Sequence, residues 1–284
     1  MKKIVYLLLL LSLVSCSEEE KKEFDGNHSG NKGDYGENTA DSKISAISFF
    51  LTGTEDGHDF VDLGLPSGTL WATANIGASE SQAYGNYFAW GETEPQASNA
   101  YSWGSYKYAK GISYENPRLI KYCNNSEYGD EGFIDNKTVL DLEDDVAHVN
   151  WGGKWRMPTK EQCDELMNEG YWVWTDNYNG SYRCGFIVYK AKEDIDKGSV
   201  ISYSGDAMDY SLSDIHIFLP AAGQRFIGSI SSVNSTGCYL SSSLVTGSPY
   251  NAWHISFSST SVVSYSYYID RSRGYSVRPV ISGE

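Results

Sequence analysis

From Gly170 onward the chain is a succession of short stretches, "YWVWT", "YRCGFIVYK", "IHIFLPAAG", "GCYLSSS", "AWHISFSS", "VVSYSYYI" and "YSVRPVI", separated by Gly, Asn or Ser. Most alternate apolar and polar residues, the period-two pattern of a strand with one face inside, and their lengths suit strands rather than helices. A chain written this way folds into many short strands, and its helices must come from what precedes Gly170. Lys192 to Asp214 interrupts the series as a polar insertion.

Upstream, "GGKWRMPTKEQCDEL" is the best-formed local signal. Thr159 is a natural N-cap with Gln162 three residues on, a capping box, and Glu161 lies in the first turn, where the helix dipole favours a carboxylate. Cys163, Leu166 and Met167 follow as one narrow apolar stripe, and Gly170 ends the helix. So short a helix is not stable alone, and packing of the stripe must hold it. A second, earlier helix is expected from about Asp144 to Val149, with Val146, Val149 and Asn150 on one face and a stop at Gly152-Gly153. Phe60-Val61-Asp62-Leu63, a turn at Pro66-Ser67-Gly68 and Leu70-Trp71-Ala72-Thr73-Ala74 read as a β-hairpin whose register Pro66 leaves open. The fold class is α+β: two short helices and many short antiparallel strands, rich in loops.

The first residues, "MKKIVYLLLLLSLVSCSEEEKKE", hold Lys2 and Lys3, an apolar run from Ile4 to Val14 and then Ser15-Cys16. The run is too short to span a bilayer and reads as a secretory signal, residues 1–15. Leu13-Val14-Ser15-Cys16 resembles the bacterial lipobox, which implies that Cys16 carries a lipid and anchors the mature chain to a membrane. The alternative is an ordinary cleaved signal with Cys16 a bystander. Ser17-Glu18-Glu19-Glu20 resembles the export signal of lipoproteins sent to the outer face of the outer membrane, so the expected location is the outer membrane, lipid-anchored and facing the cell exterior. Ser17 to about Ser42 contains almost nothing apolar and cannot offset its ordering entropy. Residues 16–55 are accordingly a lipidated Cys and an acidic, polar stalk, and 56–284 one domain. The formal net charge of −15 argues against nucleic acid as partner. Cys123, Cys163, Cys184 and Cys238 lack zinc-ligand spacing; two disulfides and four buried thiols are both open readings.

The stretches "VDLGLPSGTLWATANIGA", "YGNYFAWGETEP", "DDVAHVNWGGKWRMPTKEQCDELMNE", "IFLPAAGQR", "YLSSS", "NAWHISFSS" and "GYSVRPV" occur in an order that resembles the Fibrobacter succinogenes major paralogous domain of bacterial surface proteins. The insertion from Lys192 to Asp214, and Leu240 where that family commonly has Trp, are departures. The resemblance implies a C-type lectin-like fold, shared with formylglycine-generating enzymes, with Arg156-Met157-Pro158-Thr159 opening the helix and Gly274-Tyr275-Ser276-Val277-Arg278 near the end. Those enzymes need reactive cysteines late in the chain. Here Pro279 follows Arg278 and no Cys follows Cys238, so that chemistry is missing.

Other chemistry is thinly founded. Asp141, Glu143, Asp144 and Asp145 with His148 offer oxygens to a hard cation, but neighbouring acids on a helix diverge, and a solvated helix N-terminus accounts for them. Glu94-Pro95-Gln96 lies too early, and "AWHIS" lacks the acids, for a calcium-dependent sugar site. Ser241, Ser242, Ser243 and His254 have nothing in the sequence to bring them together as nucleophile and base. No catalytic residue, metal or cofactor is expected. Aromatics make up 14 % of the chain, and Trp90, Trp103, Tyr106, Tyr108, Trp172, Trp174 and Tyr239 are candidates to stack on sugar rings or anchor a protein. The competing reading is that these rings fill a core poor in Leu and Ile. The expected function is a non-enzymatic surface domain for binding or adhesion to glycan or protein. The alternatives are an enzyme of the formylglycine-generating superfamily or a hydrolase with a cryptic site, and a structural component of a surface or fimbrial assembly.

Overall fold

The computed structural model describes residues 53–111, 116–202, 206, 209–265 and 269–283; the signal, Cys16 and the stalk up to residue 52 lie outside them. The hairpin read around Pro66 forms. Strands β1 (Gly53–Glu55), β2 (His58–Val61) and β3 (Leu70–Ala72) run antiparallel, with Val61 opposite Trp71. Gly68 closes the turn: its N–H reaches the Leu65 carbonyl at 2.8 Å and its φ is +70°, which a residue without Cβ adopts at no steric cost. Strand β1 falls inside the segment read as stalk.

The short pair β4 (Ala109–Lys110) and β5 (Arg118–Leu119) precedes the two α-helices found among the described residues, α1 (Val146–Trp151) and α2 (Lys160–Glu169). Helix α2 has the full capping box: the Thr159 hydroxyl accepts from the Gln162 N–H and the Gln162 side chain accepts from the Thr159 N–H. Cys163 and Leu166 are buried and Met167 half-buried. Gly170 ends the helix in an extended conformation (φ −77°) and starts the next strand directly. A glycine is required there by contact, since a Cβ would stand 2.8 Å from the Leu166 carbonyl oxygen and 2.8 Å from Val188 Cγ1.

Helix α1 departs from expectation. Val146 and Ala147 are buried while Val149 and Asn150 face solvent. The helix docks by its N-terminal end, because the Asp145 carboxylate both caps it, accepting from the Ala147 and His148 N–H groups, and accepts the Met157 N–H at 2.9 Å.

Strands β6 (Gly170–Thr175), β7 (Gly185–Lys190), β8 (Val200–Ile201) and β9 (His216–Pro220) form a sheet in the order β8-β6-β7-β9, antiparallel except for β8 against β6. Strands β6 and β9 are buried along their length instead of alternating. One face, with Trp172, Trp174, Phe186, Val188, Ile217 and Leu219, joins the core of Trp71, Cys163 and Leu166. The other, with Tyr171, Tyr189 and Phe218, is covered by Tyr178, Ile201 and Tyr210. Two of those three covers belong to the polar insertion, which supplies edge strand β8 and stacks Tyr210 on Tyr171 at 4.3 Å.

A hairpin, β10 (Gln224–Phe226) and β11 (Ser229–Ser231), precedes an antiparallel meander of β12 (Thr236–Leu244), β13 (Ala252–Ser258) and β14 (Ser261–Tyr265). The last strand, β15 (Val280–Ile281), returns to β3, with Val280 opposite Trp71, and completes the sheet β1-β2-β3-β15. Arg278 just before it is fully buried. It donates to Asn75 Oδ1 (2.8 Å) and to the carbonyls of Ala72 (3.0 Å), Thr73 (2.8 Å) and Phe218 (2.8 Å), tying the first sheet to β9. Cys123, Cys163 and Cys238 are buried thiols, and no disulfide joins the four cysteines of the described domain.

Candidate functional site

The acidic cluster is real, but a lysine occupies it. Asp141, Glu143 and Asp144 bring their oxygens within 4.8 Å of one another, and Lys121 Nζ sits among them at 3.0, 3.1 and 2.5 Å respectively. Asp144 also accepts hydrogen bonds from the Tyr108 and Tyr122 hydroxyls and from Lys107 Nζ at 3.3 Å. Burial works to raise the Asp144 pKa, and these donors override it, holding the carboxyl down at about 2. Burial likewise opposes charge on Lys121, and its three carboxylates more than compensate, so its pKa is raised. The ammonium supplies the positive charge that a hard cation would bring, and the cluster reads as an ion network centred on buried Asp144 and open to solvent at Glu143.

The aromatic residues read as surface contacts are interior, which corrects that expectation. Trp90 and Trp172 are fully buried, and Trp103, Tyr106, Trp174 and Tyr239 are at most 5 % exposed. Their polar atoms face the backbone or a neighbour: Trp90 Nε1 donates to the Ser241 carbonyl (2.8 Å), Tyr106 to that of Trp90 (2.7 Å), Trp172 Nε1 to that of Leu166 (3.3 Å) and Tyr239 to that of Pro220 (2.9 Å). Trp174 Nε1 donates to Asp176 Oδ1 at 2.7 Å, while Trp103 packs edge-on against Tyr106. Tyr108 joins the Asp144 network. Large rings fill an interior short of Leu and Ile, and the polar edges of Trp90, Tyr106, Trp172 and Tyr239 find backbone acceptors there.

The serine and histidine group is also structural. Ser241 donates to the Trp253 carbonyl (2.8 Å), Ser242 to that of Pro158 (3.3 Å), and Ser243 accepts the N–H of Lys160 (3.0 Å), the first residue of α2. His254 Nδ1 lies 3.1 Å from the Ala252 carbonyl, and burial pushes its pKa down to about 4. In the Glu94-Pro95-Gln96 loop, Gln96 organises the neighbouring turn by accepting the Tyr101 N–H at 2.7 Å.

The sequence reading passed over another cluster, in which Tyr87, Tyr101 and Ala222 are buried and Tyr84 is half-buried. Tyr101 sits at φ +62°, a costly conformation for a bulky residue, and its hydroxyl donates to the Tyr87 carbonyl at 2.7 Å. The Tyr87 hydroxyl donates to Ala222 O at 2.6 Å, and burial pushes its pKa up to about 12. Gly274 lies against this cluster so closely that a Cβ would stand 2.6 Å from the Tyr101 ring.

Arg225 in β10 pairs with Gly274 through both backbone groups at 2.9 Å, which sets its guanidinium 5.5 Å from the Tyr87 ring centre and 5.8 Å from that of Tyr101. Arg183 lies 4.5 Å over Tyr84. Among the described residues neither arginine is paired with an acid, and Arg225 Nε is buried without a hydrogen-bond partner. The adjoining turn, Ile227-Gly228, has φ of +37° and +78°, strained at a β-branched residue. Ile230, opposite Arg225 across the hairpin, is 43 % exposed. The exposed loop 231–235 presents Ser231, Ser232, Asn234 and Ser235, and Asn234 Oδ1 accepts the Tyr84 hydroxyl at 2.5 Å. The signal was in the sequence: between Asp214 and Asp270 there is no Asp, Glu or Lys, and Arg225 is the one arginine. No family model, curated protein or solved structure matches this chain.

Proposed function

We propose that this chain is a lipid-anchored lipoprotein of the outer membrane, displaying on a stalk a non-catalytic C-type lectin-like domain that binds glycan or protein at the cell exterior. The observation that carries the binding part is the exposed stretch 227–235 beside Arg225, a half-buried arginine free of an acid partner among the described residues, in a segment without acidic side chains. Arg and exposed Ile beside uncharged polar residues, without Lys, Glu or Asp, agrees with the composition of recognition surfaces. The anchor and stalk rest on Cys16 and the polar run behind it. The acids and serines that suggested catalysis each have a structural partner, so support for an enzyme is weak. The test is a broad glycan and matrix-protein array probed with the detergent-solubilised full chain. Selective capture of one ligand class supports the reading; signal at background on every spot overturns it.

A further inference from the structure

We propose that β11 is a self-recognition edge, through which two copies of this chain pair antiparallel about a two-fold axis at Ile230. Strands β10 and β11 make a two-stranded sheet, and among the described residues no strand or bridge lies on the outer side of β11. The N–H and C=O of Arg225 both bond to Gly274. They therefore face away from β11, and Arg225 with Ile230 is the non-hydrogen-bonded pair of the hairpin. The N–H and C=O of Ile230 accordingly face outward, where Ser229, Ile230 and Ser231 are all exposed. Natural edges are protected by a charge, a proline or a bulge, and β11 has none of these.

The sequence selects a second copy as the occupant. Residues 227–233 read Ile-Gly-Ser-Ile-Ser-Ser-Val, a pattern alike in both directions, with an aliphatic residue at each end and at the centre and small residues between. A two-fold interface sets residue i on j and j on i. Centred on Ile230, it pairs that residue with itself, Ser229 with Ser231 of the second copy, and Ile227 with Val233 of the second copy. Ile227, Ile230 and Val233 are all exposed in the single chain. Charge points the same way: two chains of net charge −15 repel, and a stretch with no Asp or Glu between Asp214 and Asp270 is where they approach at least cost. Positive φ at Ile227 (+37°) and Ser232 (+60°) ends the extended run on either side. The contact is therefore small, weak in dilute solution and favoured where anchoring at one surface concentrates the chain. The pairing needs no ligand, and a ligand seated on the same stretch would compete with it.

The experiment is sedimentation equilibrium of the full chain in density-matched detergent, with cysteine cross-linking to fix the register. The wild type should pass from the mass of one chain to that of two as its concentration rises. Raising salt from about 0.01 M to about 0.15 M should tighten the pair at least about threefold by screening the mutual repulsion. I230K sets like charges opposite each other on the axis and should weaken the pair at least about tenfold. Thermal melting reports its folding, and the cross-linking keeps the test decisive if it misfolds. Ser229 and Ser231 of the second copy form the non-hydrogen-bonded pair beside the axis, with Cα atoms about 4.5 Å apart, within disulfide reach. The double variant S229C/S231C should therefore form an interchain disulfide with copper phenanthroline as oxidant, while S229C or S231C alone stays at the wild-type level. A single-chain mass at every concentration, a pair untouched by I230K, single variants that cross-link as well as the double, or growth beyond two chains overturns the inference. A chain that stays single yet captures a ligand on the arrays overturns the pairing and leaves the binding reading in place.

Discussion

A carboxylate as enclosed as Asp144 stays ionised because donors surround it: Lys121 and Lys107 together with the Tyr108 and Tyr122 hydroxyls. Its pKa is near 2 in the folded chain and about 3.9 unfolded, so its contribution is fully present above pH 4 and is lost as pH falls toward 2. Asp144→Asn should destabilise the domain by about 3 kcal/mol, the low end for breaking a buried pair because Lys121 keeps Asp141 and Glu143. Urea melts at pH 7 measure the cost. Repeated at pH 4, 3 and 2, they should show the two chains converging as the wild type loses its ionised carboxylate; a constant gap would assign the effect to packing. Leu166, fully buried in the stripe of α2, makes a simpler test. Leu166→Ala should cost about 2–5 kcal/mol by the same melts.

Among elements, α2 was the most legible because its signals are local. A cap and its reciprocal partner lie within four residues, and Thr159 and Gln162 bond as their spacing dictates. Thr159→Ala should cost about 1 kcal/mol in denaturant unfolding. Gly170 was legible as a stop but not for the right reason. Its φ is ordinary, so Gly170→Ala should destabilise by about 1–3 kcal/mol through the clash with Leu166 and Val188 alone; a neutral result would show that the helix end shifts freely. The face of α1 was not legible, since fewer than two turns give no periodicity and its orientation is set from outside by the Asp145 bond to Met157. The segment from Lys192 to Asp214 read only as a polar insertion, because Ile201 and Tyr210 look unremarkable until the sheet face they cover is known. Ring exposure was illegible for a similar reason: Trp and Tyr suit an interior and a contact surface equally, and only the tertiary arrangement decided.

At the scale of the whole molecule, charge is divided unevenly along the chain. The stretch between Asp214 and Asp270 holds no acidic residue, while the chain as a whole carries a net charge of −15. The Arg225 face is assembled from segments distant in sequence: the loop carrying Tyr84, Tyr87 and Tyr101, the β10–β11 hairpin, and Gly274. An anionic ligand therefore meets two opposed fields, a long-range repulsion from the net charge of −15 and a short-range attraction at one guanidinium. Salt separates them by distance, because the screening length shrinks from about 30 Å at 0.01 M to about 8 Å at 0.15 M while a contact pair is screened far less. The association rate of an anionic ligand captured on the arrays should accordingly rise about two- to fivefold between those salt concentrations. A neutral ligand should show no such change. A basic patch gives the opposite sign, so an anionic ligand's rate that falls with salt would mean the field where it binds is already positive, and that the acids of the rest of the chain do not reach it.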